Sequence, residues 1–338
     1  KNTRVLALAT AVLLTMAPVA GAQTRLIMDS YAGPAHPLTL GVMKPLAEAV
    51  EKATQGRVTI EVSSAPLGKS NTQWEQVESG ISDIAVQYIG WRRSEIQLPA
   101  ISAVPFTVPS GEIASAALWR TQNQFFTDAD EFKGMKLLGL VVQSGAQIYT
   151  RGHKFSTIAD FSGLKIRAAP GETADLVSLL GSSPVATQGP QIFEFFSKGV
   201  VDAVLDGGHG PTSFKIVDYI KVATQVPGSF GALTFALFMN EAKFNALSPE
   251  DQQAILSVSG EEISRRGGQE FDRVTADGIA QMTAAGAEFY TPDDAVLAEL
   301  RTRLQPIEEN WIKIASTKGV DGNAALEYYR AQLAELAK

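Results

Sequence analysis

Strand-like and helix-like segments alternate along nearly all of this chain, and no other feature narrows its fold as far. Arg25–Ser30 (RLIMDS) reads as a strand, and Leu38–Thr54 follows with apolar residues at helical spacing. Arg57–Val62 (RVTIEV) is β-branched and alternating, Asn71–Gly80 is a short helical pattern stopped by Gly80, and Ile81–Ile89 is apolar enough for a buried strand. Leu137–Val142, Lys165–Ala168, Val200–Leu205 and Ala232–Met239 continue the strand set, with helical patterns at Ile113–Phe125, Glu172–Gly181 and Gln191–Lys198 between them. Such alternation implies an α/β protein with mainly parallel sheets covered on both faces. At 338 residues the chain exceeds what one hydrophobic core usually holds, so two domains are expected.

The longest proline-free pattern begins at Ser248-Pro249-Glu250-Asp251, which combines a hydroxyl N-cap, proline at the first helical position and two carboxylates in the positive first turn. It reaches Ala285 and includes Gly260, Gly267, Gly268 and Gly278. Two readings stand: one helix of roughly 55 Å, or two helices joined near Gly267-Gly268. A second start, Thr291-Pro292-Asp293-Asp294, opens a C-terminal helical region.

Ahead of all this, Lys1 and Arg4 precede an apolar run from Val5 to Val19, and Ala20-Gly21-Ala22 offers small residues before Gln23. That is the layout of a secretory signal peptide with cleavage near Ala22, and it directs the chain to the periplasm. The competing reading is a buried N-terminal helix, against which Pro18 argues.

Composition removes several function classes. The net charge is −7 and no basic stretch occurs, so there is no electrostatic footprint for nucleic acid. The chain has no cysteine, which excludes thiol nucleophiles, disulfides and cysteine-ligated metals. His36, His153 and His209 are scattered, and none has a ligand-type neighbour at metal spacing. No serine stands in a G-x-S-x-G elbow, and no glycine-rich nucleotide loop is present. Gly207-Gly208-His209-Gly210 reads as a flexible loop after a strand, and Glu75 with Glu78 as a solvated helical face rather than an acid/base pair. No cofactor or metal is implied.

What remains are polar groups at strand ends, where open α/β sheets bind ligands. Arg167 closes the strand within Gly163–Pro170 (GLKIRAAP), and its fixed fork suits a carboxylate. A salt bridge between elements is the alternative use. Asp206 lies just past Val200–Leu205, at the corresponding kind of place.

These residues, taken in order, resemble the solute-binding proteins of tripartite ATP-independent periplasmic (TRAP) transporters, of the dicarboxylate-binding type. The resemblance runs from about Leu26 to beyond Tyr290. It is carried by His36-Pro37, Thr54-Gln55-Gly56-Arg57-Val58, Leu67-Gly68, Gln76–Asp83 (QVESGISD) and Val104-Pro105-Phe106. Its densest part is Ala159–Pro170 (ADFSGLKIRAAP), Leu179–Val185 (LLGSSPV) and Phe195–Val204 (FFSKGVVDAV).

The resemblance implies a two-lobe periplasmic binding protein fold (class II-like) with a hinge and a long helix spanning both lobes. Lobe I would hold residues 23–145 plus about 231–270, and lobe II residues 146–230 plus about 271–338. Arg167 would be the arginine that holds the substrate carboxylate. Tyr31, Ser70 and Tyr88 would face the cleft, and Trp91 could add stacking area. Three positions depart from the family pattern: Gln147 stands where a second arginine is common, Asp206 where asparagine is frequent, and Gly189 or Gln188 where phenylalanine is frequent.

With one arginine fewer and one carboxylate more, a compact dicarboxylate becomes a poorer fit, and a monocarboxylate bearing hydroxyl or amino groups a better one. The expected partners are that small organic acid and TRAP membrane permease subunits, with the protein itself a monomer. Two other functions stay open: a secreted enzyme on the same scaffold using Asp206 with Glu194 or Glu172, and a periplasmic ligand sensor.

Overall fold

The structure, a computed structural model, describes residues 23–338, and the export-signal reading of residues 1–22 lies outside the described residues. Among the described residues the strands form two sheets. The first contains β1 (Thr24–Asp29), β2 (Val58–Val62), β3 (Ile84–Tyr88), β4 (Met135–Val142) and, from much later in the chain, β10 (Thr234–Asn240), in the order β2-β1-β3-β10-β4. The second contains β5 (Ala146–Thr150), β6 (Lys165–Ala168), β7 (Ser183–Ala186), β8 (Ala203–Gly207), β9 (Val222–Thr224) and β11 (Glu288–Tyr290), in the order β11-β9-β5-β8-β6-β7.

The expected parallel sheets are in fact mixed. β1 pairs in parallel with β2 and β3, and β6 with β7 and β8, but β10 runs antiparallel to both its neighbours, as does β5. The reason is topological: β5 and β10 each follow a direct strand-to-strand passage from one sheet to the other, and each enters its new sheet against the local strand direction. The passages run side by side. Ala146 N donates to Gly231 O at 2.8 Å and Gln143 N to Leu233 O at 3.0 Å.

The helices are α1 (Lys44–Ala53), α2 (Gln73–Ser79), α3 (Gly111–Thr121), α4 (Glu172–Leu179), α5 (Ile192–Ser197), the single turn α6 (Gly210–Ser213), α7 (Glu241–Asn245), α8 (Pro249–Ser257), α9 (Glu261–Ala284), α10 (Asp294–Thr317) and α11 (Gly322–Leu336). Their starts are chemically marked. Ser248 accepts from Asp251 N, Asp293 from Val296 N and Asp321 from Ala324 N, so each satisfies an otherwise orphaned first-turn amide. Within the second start, Thr291-Pro292-Asp293-Asp294, the cap is Asp293.

Each sheet has its own core. Met28, Leu46, Val86, Leu140 and Phe238 belong to the first, and Ile148, Phe161, Ile166 and Leu205 to the second. Two helices join them. α9 contributes Ile263 and Phe271 to the first core and Met282 to a cluster on the second sheet with Tyr149 and Val204. α10 places Leu300, Leu304 and Ile307 in the second core, then Trp311 and Ala315 in the first. Residues of α11, expected with the second lobe, pack on the first through Leu326, Tyr329 and Leu333.

The Pro249–Ala285 pattern is two helices, but their joint is Gly260 (φ 71°), not Gly267-Gly268. Helix α9 runs straight through that pair because its glycines serve close packing. A Cβ on Gly268 would lie 2.3 Å from Gly111 O, and one on Gly267 2.7 Å from Val141 Cγ1. Alanine in an exposed helix gains about 1 kcal/mol over glycine. Gly268→Ala is expected instead to lose about 2 kcal/mol or more, because backbone cannot yield as a side chain does. Urea denaturation measures this, and unchanged stability would show that α3 and α9 separate freely.

Candidate functional site

Arg167 stands in β6 and Asp206 in β8, strands that pair in parallel with Arg167 opposite Val204. That register brings the two side chains together although 39 residues separate them: Arg167 Nη1 donates to Asp206 Oδ2 at 2.6 Å. Arg167 Nε donates to Thr187 Oγ1 at 3.2 Å and Nη2 to Thr187 O at 2.9 Å. Gly207 N donates to Asp206 Oδ1 at 2.7 Å. The arginine is 3% exposed and the aspartate 6%, so this is a buried ion pair with its fork held from three directions. One N–H on each terminal guanidinium nitrogen is left for another acceptor.

A pocket opens in front of the pair, lined by residues of both lobes. Seven of the eight residues expected at the site are there: Arg167, Asp206, Tyr88, Ser70, Tyr31, Trp91 and Gln188. The first lobe supplies Tyr31 after β1, Tyr88 at the end of β3, and Trp91 in the tight turn Ile89–Arg92. The second supplies Arg167, Asp206, Thr187 and Gln188 from strand ends.

Gln147 is the exception. Its amide accepts from Val226 N at 2.9 Å and donates to Val226 O at 3.2 Å, which ties it to the second passage between the sheets. It lines a neighbouring polar pocket with Ser144, Tyr149 and Asp272. Glu194, the suggested acid/base partner of Asp206, is exposed on α5 and bonded to Lys198 at 2.7 Å.

Several pocket residues escaped the sequence reading. Gly207-Gly208-His209-Gly210 is not a flexible loop: all four residues are buried. A Cβ on Gly208 would meet Thr275 Cγ2 at 2.2 Å and one on Gly210 would meet Asp206 Cβ at 3.1 Å, so the glycines permit close packing. His209 borders the pocket with its Nδ1 buried and unpaired, and its ring meets those of His36 and Phe271 edge-on at 5.9 Å and 4.7 Å. Burial pushes the pKa of both His36 and His209 down to about 3, so both imidazoles are neutral at ordinary pH. Phe214, Phe235, Leu233 and Gln143 complete the walls. The glycine spacing around His209 was the available signal, and it was open to either interpretation.

Three contacts bridge the lobes beside the pocket. Ser70 Oγ donates to Gln188 Oε1 at 2.7 Å, Tyr88 OH to Pro170 O at 2.8 Å, and Arg93 Nη2 to Asp175 Oδ2 at 2.9 Å. Burial and the nearby Glu172 push the Tyr88 phenol well above its ordinary pKa, so it stays a donor.

The family model DctP, bacterial extracellular solute-binding protein family 7, matches residues 28–314. The chain belongs to this family. Among curated relatives, the outer membrane transporter protein TsaT of Comamonas testosteroni is 34% identical over 333 residues, covering 97% of each chain. A TRAP periplasmic solute-binding protein of Bordetella bronchiseptica, solved with bound (R)- and (S)-mandelate, is 30% identical with a TM-score of 0.89, over 93% of this chain and 99% of that one. A TRAP solute-binding protein of Rhodoferax ferrireducens, in complex with copurified benzoate, is 25% identical with a TM-score of 0.82, again over 93% and 99%. In this family-7 solute-binding protein, the two-lobe α/β fold and the TRAP-type resemblance both stand.

Proposed function

We propose that this protein is the periplasmic receptor of a TRAP transporter for an aromatic monocarboxylate, captured between the lobes and handed to a membrane permease. The observation that carries this reading is the end of the pocket: a buried Arg167 with two free N–H groups, facing walls made of Tyr31, Tyr88, Trp91, Phe214 and Phe235. A carboxylate takes the fork, and flat apolar surface suits a ring. The mandelate- and benzoate-bound relatives lend support.

The partner of Asp206 is Arg167, and that alters its effect on a ligand. The pair is neutral as a unit, so one ligand carboxylate leaves the site with one net negative charge, and a second would leave two. Each Asp206 oxygen can still accept another hydrogen bond, which favours an acid carrying a hydroxyl or ammonium group near its carboxylate.

Calorimetric titration with benzoate, mandelate and succinate tests the reading, with chromatography of the same mixtures to detect any product. Tight binding of the aromatic acids without turnover is the expected result, and preferential succinate binding would reject it. Conversion of the bound acid would favour the enzyme reading instead.

Binding should also draw the lobes together, since a ligand touching both favours the closed state by its differential affinity. A smaller radius of gyration with saturating ligand is expected in small-angle scattering. Tyr88→Phe keeps the ring but loses the bond to Pro170 O, and ligand dissociation should quicken roughly 2- to 12-fold. A scattering profile unchanged at saturation, with an unaltered dissociation rate in Tyr88→Phe, would argue for a rigid pocket.

A further inference from the structure

Gly189 has no backbone reason to be glycine. It opens the tight turn Gly189–Gln191 and its φ lies outside the left-handed region, so any residue could adopt it. Its neighbour explains it. A Cβ at position 189 would stand 2.9 Å from both Cε1 and Cζ of Phe214, closer than real side chains approach. Both residues line the cleft pocket, and the Phe214 ring is only partly buried.

Phe214 is held in place from several sides. Its amide donates to Gly210 O at 2.9 Å, and the chain turns through the left-handed region at Lys215 (φ 56°) directly after it. His209 meets its ring edge-on at 6.1 Å. The first lobe's aromatic wall is also pre-assembled: Tyr88 lies 6.3 Å from Trp91 and 6.0 Å from Phe235, centroid to centroid. The pocket thus has an aromatic surface on each lobe, the second seated on a glycine that exists to accommodate it.

We propose that Phe214, seated on Gly189, is the specificity-determining face for the ligand's ring, forming a slot with the Tyr88–Trp91–Phe235 wall. This deepens the function proposed above and rests on it. Phe214 reads the flat face of an arene while Arg167 holds the carboxylate. Alanine at position 189 would displace the Phe214 ring from its seat and deform the slot without touching the carboxylate end.

The test compares mandelate with hexahydromandelate, the same hydroxy acid with a saturated ring, by calorimetry on wild type, Phe214→Ala, Phe214→Tyr and Gly189→Ala. Wild type should prefer mandelate, by roughly 2- to 12-fold for one favourable aromatic pair. Phe214→Ala should weaken mandelate roughly tenfold or more and abolish that preference, and Phe214→Tyr should restore it. Gly189→Ala should erode it. If both acids weaken equally in Phe214→Ala, or neither weakens, the arene slot is wrong while the receptor reading survives. If wild type binds neither acid, the proposed function falls and the slot with it.

Discussion

Arg167→Ala is expected to lower affinity for the carboxylate ligand by about 30-fold to several thousandfold, and to destabilise the protein as well. The first effect follows from losing a charge-assisted fork inside a closed cleft, worth about 2–5 kcal/mol. The second follows from the ion pair. Asp206 would remain buried with only Gly207 N as a partner, and removing one member of such a pair costs about 3–5 kcal/mol. Two variants separate the effects. Arg167→Ala with Asp206→Asn should recover much of the lost stability and none of the binding. Arg167→Lys should bind poorly too, since a single ammonium nitrogen cannot reproduce the planar fork whose separate nitrogens reach Asp206 and Thr187 O and leave an N–H on each for the ligand. Calorimetry and chemical denaturation supply both readouts. Near-wild-type affinity in Arg167→Ala would remove the carboxylate anchor from Arg167.

The position of Arg167 was legible because it rests on local signals: the short strand pattern within GLKIRAAP, and Pro170 halting the backbone just after it. Its pairing with Asp206 was not, because that depends on which strand lies beside β6, and parallel neighbours leave no mark in the local pattern. That Gln147 lines a different pocket from Arg167 was hidden for a related reason. Position along a strand says where a side chain sits but not what occupies its hydrogen-bonding groups, and the backbone of Val226 occupies both ends of this amide. Glycines misled in both directions. Gly267-Gly268 stood as the joint in one of two open readings and Gly207–Gly210 was read as a flexible loop, whereas both lie where another chain segment comes close. Gly260, the true break, differs only in its positive φ, which composition does not encode. The short strands β5, β7, β9 and β11 have three to five residues each, too few for a period-two pattern to emerge. Helix α10 was legible as a helix from its cap, but its passage from one core to the other depends on long-range packing.

The affinity of this protein for its acid should fall as pH rises, with Asp206 as the cause. Burial raises the Asp206 pKa above the ordinary carboxylate range by more than the Arg167 charge lowers it. Folding thus makes this carboxyl hold its proton to higher pH than it does in the unfolded chain. Its contribution to stability is therefore full below the ordinary range and is lost as pH climbs through the raised value. A ligand carboxylate places a second negative charge beside the same guanidinium and pushes Asp206 further up. Binding then takes up protons, and affinity declines across the interval between the Asp206 pKa in the free protein and in the complex. For one proton the slope is at most about tenfold per pH unit.

The other groups around Asp206 are silent in that window. Burial holds Tyr31 and Tyr149 above their ordinary pKa and therefore neutral, and His209, at about 3, is neutral too. Arg167 keeps its charge throughout, as guanidinium groups in proteins do. Asp206→Asn should accordingly flatten the profile and, at pH 8, bind a simple carboxylate such as benzoate more tightly than wild type does. It should also narrow the disadvantage of succinate, since the like charge that rejects a second carboxylate is gone. Titrations at pH 5.5 and 8, repeated in buffers of different ionisation enthalpy, measure the proton uptake directly. Equal wild-type affinity at both pH values with no proton uptake would mean that Asp206 stays ionised beside the ligand, and that the guanidinium balances both carboxylates at once.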